Sequence, residues 1–346
     1  MLNILQVLRG IAATSVAAFH GVPHYEAIQG ESGLYSLVAG YGYTGVDIFF
    51  VISGYVMALT TVHKERNLKN ATAFIQKRLF RIYLGYWPFF FIALLIALAF
   101  DRQKLSDIDL VASFFLTSPD MFRVILPVSW SLTYELFFYA IIFLLFSFNL
   151  KRAHGILVFT FLFVLAINLA TTVALHPVSD FFFSPYILEF LSGYFLFLFF
   201  RTHRSRTVMI GFACLCVFGY ALGFYLDAKH GFNRIYSFGV GAFGLVGLSI
   251  LYEKKNGFKP FAPLSWLGDA SYVIYLCHLP FFSLFYWLGI RDWLVAQGVF
   301  VAGLGFTLYF AWILIFSVAF HFSIEHRVYR WMLGRIGIRP TSPSYP

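Results

Sequence analysis

Residues 82–100 read IYLGYWPFFFIALLIALAF, nineteen residues without one formal charge. The hydrocarbon core of a bilayer is about 30 Å thick, and a helix of about 20 apolar residues crosses it. Runs of this kind recur along the chain. Windows of membrane length pick out 3–23, 43–62, 82–100, 132–148, 155–175, 184–200, 207–226, 234–252, 267–289 and 296–322. The expected fold class is all-α, a polytopic transmembrane helix bundle of about ten helices. The run 110–117 is too short to cross and reads as part of a longer external loop.

Composition leads to the same class. The 346 residues are 60% hydrophobic and only 12% charged, with mean hydropathy +0.77. Soluble domains carry about 25% charged residues, so a soluble chain of this make-up lacks the polar surface to cover its core. The net charge of +9 is spread over short loops. No basic helix or aromatic platform accompanies it, which excludes nucleic acid as a partner. Cys214, Cys216 and Cys277 lie inside apolar runs without zinc or disulfide spacing and read as small apolar side chains. With no linker, low-complexity tract or internal repeat, residues 1–346 read as a single transmembrane domain with no appended soluble domain.

Lys and Arg set the expected orientation. With the N-terminus inside, the cytoplasmic connections hold Lys64, Arg66, Lys69, Lys77, Arg78, Arg81, Lys151, Arg152, Arg201, Arg204, Arg206, Lys254, Lys255 and Lys259, and the C-terminal tail adds Arg327, Arg330, Arg335 and Arg339. The outer connections hold Arg102, Lys104, Arg123, Lys229, Arg234 and Arg291. This bias puts both termini in the cytoplasm of a multi-pass protein of the cell inner (plasma) membrane, with membrane lipids as its surroundings. Residues 1–20 read as an uncleaved span, because no basic segment precedes the apolar run and Arg9 sits within it.

A charge at the centre of a spanning helix costs roughly 3 kcal/mol, so polar residues inside the spans are where function is sought. Arg9 and His20 lie eleven residues apart in the first span, which puts them on one stripe of a helix, separated by a rise of about 16 Å. The second span opens with Asp47 and carries Ser53 and Gly54 near its middle. Gly54 is either a close-packing residue or a place where substrate approaches the backbone. Arg78 and Arg81 share a face at the cytoplasmic border before the third span. With Arg9 they form a candidate phosphate cluster, since guanidinium groups bind phosphate bidentately. The fourth span enters from outside with Ser131 and then Glu135, expected near the level of His20. The ninth carries Tyr275 and His278, with Pro280 expected to kink it. Glu325, ending the tenth span on the inner side, reads as structural.

These segments resemble the acyltransferase-3 family of membrane O-acyltransferases, in particular the branch that decorates exopolysaccharides and Nod factors. The resemblance rests on Leu8-Arg9-Gly10-Ile11-Ala12-Ala13 to Phe19-His20, Gly45-Val46-Asp47 to Ser53-Gly54, Arg78-Leu79-Phe80-Arg81-Ile82-Tyr83, Trp130-Ser131-Leu132 to Glu135, and Ser271-Tyr272 to His278-Leu279-Pro280, in family order across nearly the whole chain. It implies that His20 is catalytic, that Arg9, Arg78 and Arg81 bind the acyl donor, and that acetyl-CoA is the co-substrate, with no bound cofactor and no metal. The acyl group would pass from cytoplasmic acyl-CoA to a hydroxyl of a glycan or lipid-linked saccharide at the outer side.

In that reading His20 acts as a general base on a sugar hydroxyl or briefly carries the acyl group. Glu135 is the favoured carboxylate partner of the ring, with Asp47 second. Ser53, Gly54, Ser131, Tyr275 and His278 are candidates for substrate binding. The alternative is a proton-coupled secondary transporter that uses Asp47, Glu135 and His278 as a relay. The inverted repeats and paired broken helices common in transporters are not evident in the sequence. The charge asymmetry predicts that a cysteine at Ser32 or Ser179 reacts with an impermeant thiol reagent added outside, and that one at Asn67 or Ser205 does not. The reverse pattern would overturn the orientation.

Overall fold

The computed structural model describes residues 2–30, 33–148, 153–170, 181–227, 231–335 and 337. Among them every regular element is a helix, and the all-α class holds. In chain order these are α1 (Asn3–Gln29), α2 (Leu34–Ala39), α3 (Gly45–Thr61), α4 (Leu68–Phe100), α5 (Leu110–Phe115), α6 (Trp130–Ser147), α7 (Ala153–Ala170), α8 (Tyr186–Phe199) and α9 (Arg206–Leu226). A short turn of helix Gly231–Arg234 and a π-helical turn Ile235–Gly239 lead into α10 (Val240–Asn256). Then follow α11 (Ala262–Asp269), α12 (Ser271–Trp287), α13 (Ile290–Val295), α14 (Val299–Phe320), a second π-helical turn His321–Glu325, and α15 (His326–Arg335).

Each of the ten windows read from the sequence contains a helix. Among the described residues seven helical segments are long and apolar enough to cross a membrane, and α11 with α12, bent by 70°, makes an eighth. The chain is a multi-pass membrane protein. The remaining two windows fall short for physical reasons. Helix α1 has 27 residues but carries Arg9, His20, His24 and Glu26. Helix α8 is apolar but has 14 residues, about 21 Å of rise. Of the sequence expectations, Lys151, Arg152, Lys229 and Arg339, residues 171–175 of the fifth window, and the labelling positions Ser32 and Ser179 lie outside the described residues.

Three local expectations change. Helix α4 begins at Leu68, well before the expected 82, because Asn67 caps it, its Oδ1 accepting the Asn70 N–H at 2.9 Å. Arg78 and Arg81 therefore stand inside one continuous 33-residue helix. The bend in the ninth window falls at the Asp269–Ser271 junction of α11 and α12, while Pro280 stays inside α12. Finally, residues 110–117 are not a free loop. Helix α5 folds back beside the middle of α4, where Tyr86 Oη, Trp87 Nε1 and Tyr83 Oη donate to the carbonyls of Ser113, Phe114 and Phe115 at 2.8, 3.3 and 2.7 Å. These are carbonyls of the last helical turn, where i to i+4 partners run out, and Ser113 O also accepts the Leu116 N–H at 3.4 Å.

The chain divides into two compact units. The first comprises Met1–Leu8, Val46–Thr72 and Ala140–Phe261. In it α3 meets α8 backbone to backbone. A Cβ on Gly54 would run into the Phe190 carbonyl, and one on Gly193 into the Val51 carbonyl. The start of α1 is held by Glu253, whose carboxylate accepts the N–H groups of Asn3 and Ile4 at 2.9 and 2.7 Å, an anion at a helix N-terminus. Asp47 is fully buried and accepts Arg234 Nε at 3.0 and 3.2 Å and Arg234 Nη2 at 3.1 Å. Arg234, itself 5% exposed, lies over the Tyr186 ring.

The second unit comprises Arg9–Gly45, Ala73–Tyr139 and Ala262–Pro346. Its helices α1 and α11 touch at Gly10, where a Cβ would come within 2.7 Å of the Gly268 nitrogen. Tyr272 of α12 donates to the Ile82 carbonyl of α4 at 2.8 Å.

Breaking a buried ion pair by removing one partner costs about 3–5 kcal/mol, because a charge is left uncompensated. Asp47→Asn is therefore expected to reduce the amount of folded, detergent-extractable protein sharply, and a second change, Arg234→Met, to restore part of it. Size-exclusion profiles of the tagged protein read this out. A wild-type profile for Asp47→Asn would contradict the assignment.

Candidate active site

In the second unit α1 and α12 bring two imidazoles together. Gly10 faces Gly268, and ten residues further along both segments His20 Nδ1 lies 3.2 Å from His278 Nε2. The rings are 5.0 Å apart between centroids and tilted by 39°. His278 is completely buried, and His20 is half-buried. Each ring also reaches the carbonyl four residues earlier on its own helix. His20 Nδ1 lies 2.9 Å from Val16 O, and His278 Nδ1 lies 3.0 Å from Ile274 O.

One turn from His278 on α12, Tyr275 donates to the Val128 carbonyl at 2.9 Å, and its hydroxyl stands 2.8 Å from Ser131 Oγ. Ser131 and Tyr275 are both buried. They form a hydroxyl pair beside the imidazoles, tying the start of α6 to α12.

The arginines gather at the other end of the same stripe. Arg9 and Arg81 lie in one electrostatic neighbourhood with Glu135 and Tyr139. Arg78 sits over the rings of Tyr139 and Phe74, at 5.4 and 5.8 Å from their centroids. Tyr139 donates to Glu135 Oε1. Glu325 also neighbours Arg81 and pairs with His321 Nδ1 at 2.7 Å. Arg9, Arg78, Arg81 and Glu135 are half-buried rather than sealed in. Partly accessible guanidinium groups gathered in this way are suited to anionic oxygens.

The structure places Arg9, Arg78 and Arg81 around Glu135 and Tyr139, and joins His20 to His278 and Tyr275 to Ser131. It separates Glu135 from the role expected of it. Helix α6 runs opposite to α12: Ser131 meets Tyr275, so Glu135, one turn further on, reaches the neighbourhood of Tyr272, two turns from His278. Among the described residues the side chain that meets His20 Nδ1 is an imidazole rather than a carboxylate. The segment before α6 folds back along α4, so α6 starts deeper than its sequence position suggests. Asp47 belongs to the first unit and is engaged by Arg234. Gly54 is also there, and the Phe190 carbonyl occupies its open face, so it packs helices and leaves no room for a ligand. Ser53 is half-buried on the same helix.

Sequence reasoning missed Arg234, Glu189, Tyr139 and Tyr272. Arg234 counted as an outer-loop charge, although an acid inside a span calls for a cation. Glu189, 3% exposed, lies beside the Asp47–Arg234 pair. The tyrosines carried no signal, because this chain holds 21 of them.

Comparison with known proteins bears on the chemistry. Residues 2–322 match the family described as "Acyltransferase domain", Acyl_transf_3. The chain is similar to the exopolysaccharide production protein ExoZ of Rhizobium meliloti (strain 1021), 30% identical over 248 residues that cover 68% of this chain and 75% of that protein. No solved structure matches. With the family match running across nearly the whole chain, this protein belongs to the acyltransferase-3 family.

Proposed function

We propose that this membrane acyltransferase moves an acetyl group from cytoplasmic acyl-CoA to a hydroxyl of a cell-surface or exported glycan. The observation that carries the reading is the division of one stripe of α1. Arg9 stands with Arg78 and Arg81 at one end, and His20, eleven residues on, stands with His278 at the other. That rise is about 16 Å, a distance of the order of the pantetheine arm between the phosphates of CoA and its thioester. The glycan class rests on the similarity to a protein named for exopolysaccharide production.

In this mechanism the guanidinium groups of Arg9, Arg78 and Arg81 hold the CoA phosphates. The acceptor hydroxyl lies against His20, which takes its proton as the oxygen attacks the thioester carbonyl. The carbon–sulfur bond breaks, and the proton passes from His20 to the departing thiolate, leaving ester and free CoA. Glu135 and Tyr139 belong with the donor site and steady the arginines. The transporter alternative loses support, since Asp47 is paired with Arg234 and Glu135 is grouped with Tyr139, Arg9 and Arg81.

His20→Ala is expected to insert normally and to abolish transfer. Hydrogen bonds to charged groups contribute about 1.5–3 kcal/mol, so Arg78→Ala or Arg81→Ala should raise KM for acyl-CoA roughly 10-fold or more while leaving KM for the glycan near wild type. Arg→Lys should rescue only part, because lysine offers no fork. Glu135→Gln should likewise move KM for the donor rather than kcat. Steady-state rates normalised to folded protein test all four. Full activity in His20→Ala, or unchanged donor KM in both arginine variants, would refute the assignment.

A further inference from the structure

We infer that His278 is a positioning residue that holds His20 in its reactive tautomer. The inference rests on the acyl-transfer reading above and follows from the hydrogen-bonding capacities of four atoms. A carbonyl oxygen only accepts. His278 Nδ1, 3.0 Å from the Ile274 carbonyl, therefore carries a hydrogen, and in a neutral ring its Nε2 is left with a lone pair. His20 Nδ1 faces two acceptors, the Val16 carbonyl at 2.9 Å and that lone pair at 3.2 Å. It too carries the hydrogen and shares it between them.

The opposite arrangement fails. If His278 Nε2 donated to His20 Nδ1, two lone pairs would face each other at Val16. His278 would also have to give up its bond to Ile274 or carry a charge while fully buried. The neutral arrangement that satisfies every contact leaves the lone pair of His20 on Nε2, the nitrogen turned away from His278 and Val16. That is the atom that receives a proton from an incoming hydroxyl. Once His20 is protonated, its Nδ1–H still points at a neutral acceptor, so the imidazolium keeps its partner throughout transfer.

The role resembles that of the acid in a histidine–carboxylate pair, which fixes tautomer and ring orientation. Here a second imidazole fills it, anchored by its own helix. Substrate contact, the role the sequence suggests for His278, does not fit its complete burial and two occupied nitrogens.

Two measurements test this. In protein labelled with 15N-histidine, solid-state NMR of the wild type should report a proton on Nδ1 and a lone pair on Nε2 for both His20 and His278. With acetyl-CoA as donor and base-deacylated host polysaccharide as acceptor, His278→Phe keeps a ring but removes the acceptor. It should lower kcat at least 10-fold with KM for acetyl-CoA within about twofold of wild type. His278→Gln, whose amide oxygen accepts from His20, should recover most of the loss. A proton found on His20 Nε2, or equal rates for His278→Phe and His278→Gln, would overturn the inference while leaving the acyl-transfer reading intact. Undiminished turnover in His20→Ala would instead remove the reading itself. The NMR result needs no turnover, so it decides the tautomer even where a variant fails to fold.

Discussion

A polar group carried into hydrocarbon must find its partner inside the protein, because the bilayer offers none. That constraint accounts for most of the contacts that position the site. Asp47 and Arg234 satisfy each other in the first unit. The terminal carbonyls of α5 are met by hydroxyl and indole donors from α4. In the second unit each imidazole of the His20–His278 pair takes its own helix carbonyl as acceptor and then takes the other ring. What makes the site distinctive is that His20 and the arginine group are left half-exposed while their supports, His278, Ser131, Tyr275 and Tyr139, are buried.

Much of this was legible in the sequence, and the physical reason is simple. Hydropathy is a local property, so every expected window contains a helix, and the eleven-residue separation of Arg9 and His20 set their common stripe from helix geometry alone. Depth was harder to read. Glu135 was expected beside His20, because a span entering from outside puts its early residues high. The return of residues 110–126 along α4 shifts the start of α6, and an antiparallel register then carries Glu135 down to the arginines. Nothing in the local sequence encodes that return. It depends on Tyr83, Tyr86 and Trp87 meeting carbonyls about 30 residues away.

Burial of charge produced the other differences. An acid in a span announces that it needs a partner, but it does not say which one. Arg234 lies 187 positions from Asp47, and only folding brings it near. Gly54 had two readings, packing or ligand approach, and the Phe190 carbonyl decides for packing. The histidines illustrate the opposite case. Their residue types pointed to acid–base chemistry, but the division of labour between them comes from two helix carbonyls that only the structure reveals.

The central claim is transfer of an acyl group from a CoA thioester to a sugar hydroxyl. It is tested most directly with the purified protein in lipid vesicles, acetyl-CoA labelled in its acetyl group, and base-deacylated host polysaccharide. The account predicts that label appears on the polysaccharide in a base-labile ester, with an equimolar amount of free CoA thiol. Absence of both label and thiol, together with solute uptake driven by a pH gradient, would contradict it.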